Sequence, residues 1–147
     1  MKISAKGRYG LASMAFLARY VTSETPTTIL TIAERLSISK IYLEQVFSLL
    51  KRAGLVRSSK GSQGGYQLAR LPREISAYDV LAAIELSLLE KPGLSTGGAK
   101  EMEAALTTCV YTPLDEAIMA TLRSVSLEDI LVEMDRQKSA DSLMYFI

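Results

Sequence analysis

The chain has no histidine and a single cysteine, Cys109. Without histidine there can be no Ser-His-Asp triad, no Cys-His dyad and none of the usual imidazole ligands of zinc. One cysteine excludes an intrachain disulfide and a metal site built from this chain's cysteines alone. Glycines cluster at Gly61–Gly65, but that stretch lacks the strand-before, helix-after setting of a phosphate-binding P-loop. With no nucleophile–base pair, no metal-ligand set and no phosphate cradle, the sequence gives no reason to expect an enzyme. No apolar run approaches the ~18 residues of a membrane-spanning helix. The basic start MKISAKGRYGLA is followed by a stretch broken by Arg19, with no cleavage pattern. The protein is therefore expected in the cytoplasm, with no membrane partner. Internal repeats and low-complexity tracts are absent.

What is present is a chain of 147 residues, 48% of them hydrophobic, enough to build the core of one domain or of one small domain with an appendage. The formal net charge of +1 hides an asymmetry. Residues 1–70 carry eleven Lys or Arg against three acids, a net +8, and residues 71–147 carry six against thirteen, a net −7. A basic front half suits a module that meets phosphates.

The stretch Ser39–Arg70, SKIYLEQVFSLLKRAGLVRSSKGSQGGYQLAR, has the densest pattern. Leu43, Val46, Phe47 and Leu50 recur at spacings of three and four, the apolar face of one helix. Ile41, Glu44, Gln45, Ser48 and Arg52 fall on a second face. Lys51 and Arg52 suit the negative end of the helix dipole, and Gly54 follows as the cap. Two strand-like runs, Leu55–Lys60 and Tyr66–Arg70, flank the glycines. A helix followed at once by a basic, glycine-rich hairpin predicts a winged helix-turn-helix. The fold is thus expected to be mainly α with a small β-wing. The winged helix-turn-helix occupies residues 1–75, and a helical region occupies 76–147.

On DNA, Ile41, Glu44 and Gln45 would face base edges: Ile can touch a thymine methyl, Glu can accept from cytosine N4, and Gln can pair with adenine. Lys40, Ser48, Lys51 and Arg52 would meet the backbone. Lys2, Lys6, Arg8 and Tyr9, in an N-terminal arm Met1–Gly10, form the mixture of cations and hydroxyls that holds phosphates; a merely solvated basic terminus is the alternative. Lys60, Gln63, Gly64 and Gly65 form the wing tip, where glycine lets the backbone come close to DNA. Tyr66 has two readings, core under the wing or phosphate contact.

Along the chain, a first helix is expected from about Arg8 to Val21. A second is expected after a capping box Thr31-Ile32-Ala33-Glu34, followed by a turn Ser37-Ile38-Ser39 with Ser39 capping the third helix. Ser76–Asp79 starts a fourth helix running to about Leu88. Ala99–Leu106 can form a short helix. Thr112-Pro113-Leu114-Asp115 reads as a separate helix start, with Thr as cap and Pro at the first helical position. Ser126–Asp129 opens a last helix to about Arg136. The chain ends with the apolar tail Leu143–Ile147.

Three segments, MKISAKGRYGLASM, ISKIYLEQVFSLLKRAGLVRSSKGSQGGYQLAR and TPLDEAIMATLRSVSLEDIL, with the words KGRYGL, YLEQ and GGY in this order, resemble the Rrf2 family of bacterial transcriptional regulators over nearly the whole chain. The resemblance implies a sequence-specific DNA-binding regulator, in most cases a repressor. It also implies a winged helix-turn-helix with a long C-terminal dimerisation helix, acting as a homodimer on double-stranded DNA with a two-fold-related operator. The stripe Leu114, Ala117, Ile118, Leu122 and Val125 fits the dimer interface. Iron–sulfur members carry three cysteines in the loop before that helix. Here only Cys109 stands, at the last of the three positions, and the residue three further on, at times a histidine ligand, is Thr112. No iron–sulfur cluster and no other cofactor is therefore expected. The departures point to the cluster-free, cysteine-metabolism type, whose regulators can act with cysteine synthase. Tyr145, Phe146 and Ile147 would dock that partner, or else pack on the dimer core. Cys109 is open to two readings, a redox-sensing thiol or a small buried hydrophobe. The competing functions are a redox-responsive regulator using Cys109 and a winged-helix protein–protein adaptor that binds no DNA.

Overall fold

A computed structural model describes residues 3–22, 24–62, 64–85, 87, 90 and 99–145. Lys2, Gln63, Phe146, Ile147 and residues 91–98 of the loop before Cys109 lie outside the described residues.

Helix α1 spans Ala5–Ala18 and starts where the Ser4 side chain accepts from the N–H of Gly7. It begins and ends three residues earlier than the hydropathy pattern predicts. The supposed arm is mostly the first turns of this helix. Its buried face steps through Gly7, Gly10, Met14, Leu17 and Ala18, the three-and-four spacing of one helix side.

Helix α2 spans Ile29–Leu36, and its cap is Thr28, which accepts from the N–H of Thr31. The expected box at Thr31–Glu34 is therefore one turn late. The reason is tertiary: Thr27 pairs with Tyr66 across the wing through two backbone bonds of 3.0 and 2.7 Å. That pairing holds the chain extended up to Thr28. Ser37 ends α2 with φ 54°, the one described non-glycine residue at positive φ. This left-handed residue makes the sharp bend of the helix-turn-helix.

Helix α3 spans Lys40–Arg52, with Leu43, Val46, Phe47 and Leu50 fully buried, as the stripe predicts. Ser39 precedes it, but its hydroxyl makes no cap bond. Gly54, at φ 73°, closes α3. Leu55 N–H reaches Leu50 C=O and Gly54 N–H reaches Lys51 C=O, both at 3.0 Å, the paired bonds of a Schellman cap.

The wing is β1 (Val56–Ser59) paired antiparallel with β2 (Gly65–Leu68) in the register Val56 opposite Leu68 through Ser59 opposite Gly65. A 3-10 turn, Pro72–Glu74, leads to α4 (Ala77–Ile84), whose start is the predicted reciprocal box of Ser76 and Asp79. Helix α4 ends at Ile84, four residues short of the expected Leu88.

Helix α5 spans Lys100–Leu106, as expected, but no cap separates it from α6 (Thr112–Arg123). Leu106, Thr107, Tyr111 and Thr112 are all right-handed helical, so Thr112 is not a cap. Pro113 cannot donate to Cys109 C=O, and its ring crowds that carbonyl. The helix absorbs this as a π turn over Thr107–Tyr111, with Thr112 N–H donating to Thr107 C=O. Helix α7 spans Leu127–Met144 behind the Ser126–Asp129 box, eight residues longer than expected. Near its middle, Glu133 accepts from Arg136 at 2.7 and 2.8 Å and from Gln137 at 2.7 Å. These hydrogen bonds, from Arg136 first, hold the Glu133 carboxyl down from 4.5 to about 2.

One core joins these elements. Met14, Ile32, Leu43, Phe47, Leu50, Ile75, Val80 and Leu127 belong to it. Leu127 is brought in by a backbone strap, Leu127 N–H to Ile75 C=O at 2.9 Å and Ala77 N–H to Val125 C=O at 2.8 Å. Among the described residues no helix is long and apolar enough to cross a membrane.

Candidate nucleic-acid interface

Burial of one face of α3 dictates what the opposite face offers. With Leu43, Val46, Phe47 and Leu50 in the core, Lys40, Ile41, Glu44, Gln45, Ser48, Lys51 and Arg52 all stand exposed. Ile41 is 72% exposed, far more than an isoleucine needs for stability. Within this face Lys40 Nζ lies 3.9 Å from Glu44 Oε1. A solvated i,i+4 pair of this kind contributes little and yields easily to another partner.

The basic start of α1 lies beside the recognition helix. The Tyr9 ring meets Tyr42 of α3 edge-on, with centroids 5.3 Å apart at 83°. Lys6 Nζ stands 6.0 Å from the centre of the same Tyr42 ring. Arg8 is exposed, and Lys6 and Tyr9 are half-buried. Sequence reasoning did not single out Tyr42. Its signal was its place between exposed Ile41 and buried Leu43, at the edge of the apolar stripe. Among the described residues neither Lys6 nor Arg8 has an ion-pair partner.

At the wing, Lys60 is exposed and Gly61 takes φ 104° with open space around it. Gly64 and Gly65 have reasons internal to the protein. A Cβ on Gly64 would collide with Ser59 C=O, and one on Gly65 with Thr27 C=O. Tyr66, half-buried, packs its ring on Phe47 at the edge of the core beneath the wing, with centroids 4.7 Å apart, as the first of its two readings has it. Arg57, exposed on β1, is a further cation of the wing that the sequence reading passed over.

The acidic half presents a different surface. Leu114 is 55% exposed, Ala117 is exposed, and Ile118, Leu122 and Val125 are half-buried. Because α5 and α6 are one continuous helix, Met102, Leu106, Val110 and Tyr111, all exposed, extend this apolar side. The start signal read at Thr112 hid that continuity. Cys109 is exposed on the same helix, so the fold of one copy does not bury it. Tyr145 is 91% exposed at the end of α7, beside exposed Leu143 and Met144.

Comparison with known proteins agrees with this geometry. The family model described as Rrf2, iron-dependent transcriptional regulator, matches residues 3–133. The HTH-type transcriptional regulator CymR of Bacillus subtilis (strain 168) is 37% identical over 147 residues, which cover 100% of this chain and 100% of that protein. The HTH-type transcriptional regulator IscR of Aliivibrio salmonicida (strain LFI1238) is 35% identical over 141 residues, 96% of this chain and 83% of that one. The solved structure of CymR (YrzC), the global cysteine regulator of B. subtilis, matches with a TM-score of 0.73 at 35% identity, covering 90% of this chain and 98% of that chain.

Proposed function

The chain belongs to the Rrf2 family of transcriptional regulators, and from that premise we propose that it acts as a repressor, binding a two-fold-related DNA operator as a homodimer. The observation that carries this reading is the outer face of α3. Ile41, Glu44, Gln45 and Ser48 are exposed on a helix whose other face is wholly buried. A helix so anchored can enter a major groove and present those four side chains to base edges. Lys6 and Tyr9, which flank Tyr42, and exposed Arg8 in the same turns of α1 hold phosphates to one side. The wing, with Lys60 and Arg57, reaches the flanking backbone or minor groove, and Lys2 and Gln63 complete these two sets. Residues 1–75 thus meet DNA, and residues 76–147 bring two copies together. The apolar side of the α5–α6 helix, from Met102 through Leu114 to Val125, supports a second copy as its cover. Half-sites would lie about one or two helical turns apart.

The test is a comparison of operator and random DNA across a salt series. Gln45→Ala is expected to weaken the operator by ~1–3 kcal/mol while leaving random DNA nearly unchanged, and Lys6→Ala to weaken both and flatten the salt slope. An equal loss on both DNAs for Gln45→Ala would remove it from base readout. A wild-type affinity that hardly changes with salt would favour the protein–protein adaptor instead.

Regulation on this reading does without an iron–sulfur cluster. A [2Fe–2S] centre takes four Cys or Cys/His ligands, and this chain offers one thiol and no imidazole. That donor set does not fit the group. Exposure of Cys109 keeps a redox role for the thiol as a secondary reading. A second partner is cysteine synthase, docked by the apolar tail Tyr145, Phe146 and Ile147, and the 91% exposure of Tyr145 supports it. Two residues appended after Ile147 are expected to abolish binding to that enzyme in a pull-down, and undiminished capture would refute the docking.

A further inference from the structure

The start of α1 poses an electrostatic problem. Helix N-termini carry partial positive charge and favour acids, yet the first turns of α1 hold Lys6 and Arg8 and no acidic residue. A protein that needs cations here to meet phosphates cannot place the compensating acid next to them in sequence without pairing it to them. The compensation arrives from 81 residues away. The Glu85 carboxylate, just past the end of α4, accepts from the backbone N–H of Ser4 at 2.8 Å and also from the Ser4 hydroxyl. The same hydroxyl accepts from Gly7 N–H at 3.1 Å. Glu85, Ser4 and Gly7 therefore form one chain of hydrogen bonds, each polarising the next, into the α1 N-terminus.

Two glycines of KGRYG belong to this arrangement. A Cβ on Gly7 would collide with Glu85 Oε1, and a Cβ on Gly10 would collide with Ile84 Cδ1. These glycines let the end of α4 lie against α1 closely enough for the carboxylate to reach. Among the described residues Glu85 forms no ion pair with Lys6 or Arg8, so it balances the helix end and leaves both cations for DNA.

We propose that Glu85 is a positioning residue for DNA binding. It fixes the start of α1, and with it the place of Lys6 beside Tyr42 of the recognition helix. This rests on the reading that Lys6 and Arg8 hold phosphates. Its sign opposes simple electrostatics: removing an acid near a DNA-binding face should raise affinity by relieving repulsion, whereas removing this one lowers it.

The experiment measures affinity of the full-length protein for its operator and for random DNA over a salt series, for Glu85→Ala, Glu85→Gln, Ser4→Ala, Lys6→Ala and Lys6→Ala/Glu85→Ala. Folding is monitored by circular dichroism. Glu85→Ala is expected to weaken both DNAs about tenfold at 0.1 M salt and to lower the salt slope by about 0.9, the signature of one lost phosphate contact. Glu85→Gln keeps an acceptor oxygen and is expected to lose less, and Ser4→Ala to lose affinity in the same sense. In the Lys6→Ala background the Glu85 substitution is expected to cost much less than alone, because it acts through that contact. If Lys6→Ala flattens the slope but folded Glu85→Ala and Glu85→Gln keep the wild-type slope, or gain affinity, the proposal is overturned and the phosphate reading stands. A wild-type slope for Lys6→Ala overturns the phosphate reading, and this proposal with it. Should Glu85→Ala not fold, Glu85→Gln and Ser4→Ala decide by the same criteria.

Discussion

Among the described residues, the Ser13 hydroxyl is the one buried side-chain polar group without a hydrogen-bond partner. It sits fully buried in α1, where its desolvation is not repaid. Ser13→Ala is expected to raise stability by ~1 kcal/mol, because it removes the orphan hydroxyl and places a better helix former in α1. A urea titration should show a higher midpoint at unchanged slope, and a lower midpoint would mean that the hydroxyl has a partner. In the sequence Ser13 was visible only as an interruption of an apolar run. Gly7 and Gly10 were equally mute, because what they make room for, Glu85 and Ile84, lies some seventy-five residues further along. The exposed face of α3 was legible residue by residue. Once four apolar positions are spoken for, the positions between them have nowhere to point but out.

Elements with a local cause read well from sequence. The α3 stripe, its Gly54 cap and the boxes at Ser76 and Ser126 need only neighbours three or four residues away. The misplaced boundaries have causes outside the local window. Helix α2 starts at Thr28 because Thr27 is tied to the wing. Helix α1 starts at Ser4, where the Glu85 carboxylate gathers the cap. Thr112-Pro113 carries every mark of a helix start, yet a helix already running tolerates proline by widening one turn. That matters for function, because joining α5 to α6 turns two short helices into one long apolar-sided element. The extra length of α7 lies in the polar stretch after Arg136, up to Met144, which a reading based on apolar periodicity does not weigh.

For the molecule as a whole, the basic front and acidic back halves are folded around one core, since Leu127 of α7 packs with Met14 and Phe47. Movement of the C-terminal half would thus be felt directly by the helices proposed to meet DNA. The exposed apolar side of α5–α6 is the surface that a second copy would cover in the proposed homodimer. Leu114→Glu is expected to convert the homodimer to a folded monomer in sedimentation equilibrium. Operator affinity is expected to fall about a hundredfold or more, as two half-site contacts cease to act together. A variant that still sediments as a dimer would place the interface elsewhere.

By itself the sequence determined the winged helix-turn-helix, the face that α3 turns outward, the inventory of one cysteine and no histidine, and the family. Each of these is a matter of short-range periodicity, residue inventory or motif words. Only the tertiary structure decided that the basic start is a helix set against Tyr42, that Gly64 and Gly65 serve internal packing, and that Glu85 holds the Ser4 cap of α1. Those depend on which distant backbones approach within hydrogen-bonding distance, and spacing along a chain carries no record of that.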